Sequence, residues 1–138
     1  MYVLDIYTTK FSILRGTKYS DIYPRAISIY KQICGRTKRK PYIRSKYFKK
    51  EKVFLDYFWA HIREKNMRDR VRRLRFYNCA LDLIENSILT PVIQKNPMKY
   101  SESLYRFIGQ TISKERFFVH IKEDRRKQKH FISVFPFE

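Results

Sequence analysis

Glycine is nearly missing from this chain, with three in 138 residues, at Gly16, Gly35 and Gly109. Loops that cradle phosphate on backbone N–H groups need clustered glycines, so this scarcity argues against nucleotide folds of that kind. Cysteine is as sparse: Cys34 and Cys79 stand far apart and belong to no CxxC or Cys/His spacing. Neither a disulfide framework nor a zinc site is indicated, and a reducing cytoplasm fits. Asp and Glu number 13 against 31 Lys and Arg, and the three histidines are dispersed, so no metal and no other cofactor is expected. No local Ser/His/Asp or Cys/His signature of nucleophilic hydrolysis is present. No run approaches the roughly 18 apolar residues of a membrane span, and MYVLDIYTTKF lacks the basic-then-apolar order of a signal peptide. Amphipathic segments with a cationic face suited to lying on a membrane are also missing.

What the chain has in excess is positive charge and aromatic rings. The formal net charge is +18, spread along the whole length, and Tyr and Phe contribute 11 residues each against one Trp. Such a field attracts and steers polyanions, which makes nucleic acid the first partner to consider, while an acidic protein partner is compatible with it. At this length a single modest core is the default.

In chain order, residues 2–14 mix β-branched and aromatic residues and suggest a strand or hairpin. PRAISIYKQIC, 24–34, has Ile27, Tyr30, Ile33 and Cys34 at helical spacing, with Pro near the start and Gly35 past the end, and predicts a short helix. Residues 36–52 then carry nine Lys or Arg and one Glu, interleaved with Tyr42, Tyr47 and Phe48. This stretch reads as a basic loop, either solvated or holding a nucleic-acid backbone through Arg39, Lys40, Arg44 and Lys46 while its rings stack on bases. Together 1–52 reads as a basic N-terminal extension to a domain over 53–138.

VFLDYFWAHIREK, 53–65, is the clearest helix: Leu55, Phe58, Trp59 and Ile62 make the apolar stripe, and His61 lies at its margin. A further helix is expected over 69–87, either continuous or broken near Asn78. Its first turns are crowded by Arg70, Arg72, Arg73 and Arg75, either a solvated face or one that tracks phosphates, which the guanidinium fork suits. LTPVIQKNPMKY, 89–100, with Pro91 and Pro97, reads as a loop.

The last third, LYRFIGQT, ERFFVHIK and HFISVF, reads as three antiparallel strands. Alternation in the second puts Phe117, Val119 and Ile121 on one side and Phe118, His120 and Lys122 on the other. The fold class expected is α+β, with N-terminal helices packed on one face of a small C-terminal antiparallel sheet whose other face is open.

With metals and covalent catalysis set aside, the chemistry left to this composition is cleavage of RNA by its own 2′-hydroxyl. The protein then supplies a base, an acid and positive charge at the phosphate. His61, Arg106, His120, Lys122 and Ser133 are the candidates. Each also has a plainer reading. Arg106 could pair with Glu102, Glu115 or Glu123. His120 and Lys122 could be the wet face of a half-exposed sheet. Ser133 could be a small strand residue, and His130 a surface residue beside the hairpin loop 123–129.

The order of FWAHIREK, RRLRFYNCALDLIENS, an NP-containing loop and then LYRFIGQT, ERFFVHIKED and HFISVFP resembles the nuclease superfamily of barnase, EndoU, colicin and RelE-type toxins (BECR), especially its mobile-element branches. The resemblance covers roughly 54–136. It implies a metal-independent endoribonuclease of the toxin type held in check by an acidic antitoxin, with His61 as acid or base, Arg106 and Lys122 on the phosphate, and Ser133 as a polar contact. A nucleic-acid-binding module without catalysis is the other function class that the basic surface allows.

Overall fold

The computed structural model describes residues 6–137, apart from the side chains of residues 99 and 100. The elements run β1 (Ile6–Thr8), α1 (Tyr19–Arg36), β2 (Tyr42–Ser45), β3 (Glu51–Phe54), α2 (Asp56–Arg63), α3 (Met67–Leu74), α4 (Tyr77–Asn86), β4 (Val92–Asn96), β5 (Lys99–Gln110), β6 (Arg116–Glu123) and β7 (Lys129–Pro136). All seven strands join one sheet in the order β1-β5-β6-β7-β3-β2, with β4 also on β5.

This corrects the expected architecture. The fold is α+β, but the helices are interspersed with strands, and the sheet is larger and mixed rather than small and antiparallel. β1 pairs in parallel with Ile108–Gln110 of β5, and β3 in parallel with Lys129 and His130 of β7. The physical reason lies in two stretches whose charge or prolines hide strands. In the basic segment, Ile43 and Ser45 point inward and are buried while Tyr42 and Arg44 face out, a two-residue alternation under the charge. It therefore forms the β2–β3 hairpin, turned by Lys49 and Lys50 at φ 55° and 66°. Where a loop was expected over 89–100, Val92 to Asn96 fit between the two prolines as β4, antiparallel to β5.

The helices also differ in extent. α1 begins at Tyr19, where the Asp21 carboxylate accepts from the N–H groups of Thr17 and Lys18, and it runs through Pro24. The helix expected over 69–87 is two, broken at Arg75 and Phe76. The Arg75 carbonyl, which a continuous helix would bond four residues on, accepts instead from the Leu14 N–H at 2.8 Å. Of the strand or hairpin expected over 2–14, residues 6–8 form the single strand β1, and residues 2–5 lie outside the described residues.

One face of β5, β6 and β7 is the core. Phe117, Val119, Ile121, Phe131 and Val134 are completely buried there. Phe58 of α2 stacks on Phe131 with centroids 4.8 Å apart, and Phe76 meets Phe117 at 5.3 Å. A Cβ on Gly109 would lie 2.4 Å from the Phe117 ring and 2.8 Å from Leu83, so glycine is what lets β5 close on α4. α2 straddles the margin of β7: Leu55, Phe58, Trp59 and Ile62 point into the core, whereas Tyr57 stacks on His130 at 4.2 Å on the opposite side.

Candidate active site

The register of the central strands sets the other face. Arg106 of β5 stands opposite His120 of β6, and His120 opposite Ser133 of β7, so three polar side chains form a row across the sheet. Arg106 Nε donates to His120 Nε2 at 2.9 Å, and His120 Nδ1 lies 3.3 Å from Ser133 Oγ. Burial, with Arg106 and Arg73 beside it, pushes the His120 pKa down to about 4, so the ring is neutral at pH 7. A neutral imidazole has one proton; with Nε2 accepting, that proton sits on Nδ1 and is donated to Ser133. The chain therefore runs in one direction, guanidinium to imidazole to hydroxyl. Ser133 is not made nucleophilic by it, since no group among the described residues takes its proton, and its own O–H remains available to an outside acceptor.

Aromatic rings hold this row in place. The Arg106 guanidinium lies 5.2 Å over Phe118, Arg73 of α3 lies 5.4 Å over Phe135, and His120 meets Phe135 edge-on at 5.0 Å. With Nε on His120, the two terminal amino groups of the exposed Arg106 present a fork to solvent, a geometry that matches two phosphate oxygens.

Next to the row opens a cavity of about 440 Å³, lined among others by Tyr57, His61, Lys95, Glu102, Leu104 and Lys122. His61 Nδ1 lies 2.8 Å from the Tyr57 carbonyl, which can only accept, so Nδ1 carries a proton and Nε2 is the working nitrogen of this exposed ring. Lys122 Nζ pairs with Glu102 at 3.3 Å. Lys122 and His120 are two residues apart on one side of β6, about 7 Å along the strand. His61 and Lys122 thus share a cavity, and Arg106, His120 and Ser133 form the neighbouring cluster on the same sheet face.

The remaining candidates divide. Arg70 donates to the carbonyls of Lys65 and Arg63 at 2.9 and 2.6 Å, closing the end of α2, and Arg75 donates to the Gly16 carbonyl at 3.0 Å. Arg72 and Arg73 both lie 3.6 Å from Asp69. Arg73 of this cluster reaches the site, over Phe135 and beside His120. Arg39, Lys40, Arg44 and Lys46 are exposed on or beside the β2–β3 hairpin, at the opposite sheet margin from β4. Lys40 lies 5.9 Å over Phe54 and Arg44 5.4 Å over Tyr42, with Arg44 also donating to the Lys50 carbonyl.

Two plainer readings of the sequence are corrected here. Arg106 takes His120 rather than a glutamate as its partner. His130 is not at the surface: it is 1% exposed, its Nε2 is 2.9 Å from Asp124 Oδ2, and Tyr57 and Phe54 cover its ring. Glu102 and Tyr57 line the cavity without having been site candidates; the alternation Glu102, Leu104, Arg106 along β5 is the signal that places Glu102 on this face. Among the described residues no group of three or more His, Cys, Asp or Glu is placed to hold a metal ion, and no helix is long and apolar enough to cross a membrane. No protein-family model, curated protein or solved structure matches the chain.

Proposed function

We propose that this protein is a metal-independent endoribonuclease of the toxin type. The observation that carries the reading is the shared sheet face, where the open Nε2 of His61 and the ammonium of Lys122 line one cavity beside an Arg106 fork aimed by a neutral His120. His61 Nε2 takes the proton of an RNA 2′-hydroxyl as the 2′-oxygen bonds to phosphorus. The bond from phosphorus to the 5′-oxygen breaks, and that oxygen leaves with a proton from water in the open cavity. Arg106 and Lys122 hold the phosphate, and the Ser133 hydroxyl donates to one of its oxygens. A charge of +18 supplies the long-range attraction for RNA, and it suits an acidic inhibitor protein as the regulatory partner.

The deciding experiment incubates purified protein with RNA in excess EDTA. Products ending in 2′,3′-cyclic phosphate are expected from the wild type, and His61→Ala should slow their appearance about 10²- to 10⁴-fold. Arg106→Ala should fall in the same range, because it removes the charge aimed at the phosphate. RNA left intact by the wild type overturns the reading.

A non-catalytic RNA-binding module is the second reading, favoured by the cation-and-ring ladder of the β2–β3 hairpin, where Lys52 and Arg44 both cover Tyr42. It predicts binding that weakens steeply with salt, is unchanged by His61→Ala, and yields no product.

A further inference from the structure

Past Lys122 the cavity adjoins a second cleft, of about 470 Å³, at the turn between β6 and β7. Tyr57, Glu102 and Lys122 line both, so the two share a wall. Arg125 and Arg126 of the turn, with Ser101 of β5, line the rest of the cleft together with Asp124.

The turn is closed and tied down. The Asp124 N–H donates to the Gln128 carbonyl at 3.0 Å, and Asp124 Oδ1 accepts from the N–H groups of Arg126 and Gln128 at 2.9 and 3.0 Å. Its other oxygen meets the buried His130, on whose ring Tyr57 stacks. One imidazole thus anchors both the arginine turn and the tyrosine wall. The charges on this hairpin divide by residue type. Lys122 pairs with Glu102, Lys127 with Glu123, and Lys129 with Glu51 and Glu123. The guanidinium groups of Arg125 and Arg126, between them, have no carboxylate partner among the described residues.

We propose that Arg125 and Arg126 form a second phosphate subsite, which takes the phosphate next to the one cleaved; the inference rests on the RNA reading above. The two carboxylates of the cleft are already engaged, Glu102 by Lys122 and Asp124 by His130 and two N–H groups, so the arginines are its available charges. A guanidinium fork matches a pair of phosphate oxygens, and the Ser101 hydroxyl adds a donor. A nucleic-acid strand repeats its charge at every nucleotide. A strand with one phosphate beside His61 and Lys122 therefore carries another along the shared wall to the turn, and holding it there fixes which bond lies at His61.

The test uses the full chain and deoxythymidine dinucleotides, which have no 2′-hydroxyl, so binding is read without cleavage. Displacement of a fluorescein-labelled deoxythymidine oligomer is followed with TpT, pTpT and TpTp. A terminal phosphate, at the 5′ or the 3′ end according to the direction of the strand, should lower the half-displacing concentration about tenfold relative to TpT. Arg125→Ala/Arg126→Ala should abolish that gain. Arg25→Ala/Lys31→Ala, which removes the same charge from exposed positions on α1, should keep it. No gain from either terminal phosphate, no displacement at millimolar concentration, a gain that survives Arg125→Ala/Arg126→Ala, or a gain lost equally in Arg25→Ala/Lys31→Ala overturns the subsite. RNA cleavage is scored separately: cleavage without the gain removes the subsite and leaves the nuclease, and the gain with intact RNA does the reverse.

Discussion

The two faces of β5, β6 and β7 are built from alternate residues of the same strands, yet they are held by different physics. On the core side, Phe131, Phe117 and Val119 are fully buried within the aromatic and aliphatic core, and their arrangement follows from packing. On the open side, Arg106, His120 and Ser133 are set by a directed row of hydrogen bonds, and each remains partly in contact with solvent. The difference separates stability from chemistry: one face makes the fold hold, and the other can be altered while it holds.

The sharpest way to break that division is Phe131→Ala. The ring is fully buried and stacks nearly parallel on Phe58, at 6°, so truncation should cost about 3–5 kcal/mol in urea denaturation. The protein that remains folded at low urea should bind RNA with wild-type affinity. A loss of affinity as large as the loss of stability would mean that the two faces are not independent.

A smaller effect tests the open face. The unfolded chain takes up a proton at His120 near the ordinary value of 6.5, while the folded chain does so only near 4. Between those values the unfolded state binds more protons, so stability falls as the pH is lowered from 6.5 to 4, and above 6.5 the contribution is fully present. After discounting for the partial exposure of the ring, the loss is about 2–3 kcal/mol. Denaturation at pH 7 and pH 4.5 should show this drop in the wild type and little of it in His120→Gln. Equal drops in both would place the acid sensitivity elsewhere.

How much of this was legible in the sequence follows from the range of each interaction. Alternation along β6 separated Phe117, Val119 and Ile121 from Phe118, His120 and Lys122 because a strand's period is local, and the α2 stripe was readable for the same reason. The parallel junctions were not, since Ile6 finds Ile108 and Val53 finds Lys129 through tertiary pairing alone. Charge hid the β2–β3 hairpin, and prolines hid β4. Arg70 and Arg75 read as phosphate ligands because composition cannot show that their donors meet the carbonyls of Arg63, Lys65 and Gly16. His61 and Lys122 stood out as residue types, but their sharing one cavity depends on α2 straddling β7.

The smallest effect decides whether the outer hairpin belongs with the open face in contacting RNA. Arg44 is exposed, lies over Tyr42 and donates to the Lys50 carbonyl at 2.9 Å, so Arg44→Ala should change stability by about 0.5 kcal/mol or less. If the hairpin follows the RNA backbone, the same substitution removes one phosphate contact. The plot of log affinity against log salt for single-stranded RNA then becomes shallower by about 0.7. A slope equal to the wild type's would make the hairpin a solvated margin and confine RNA contact to the β5–β7 face and the cavity beside α2, because a cation that touches no phosphate releases no counterion.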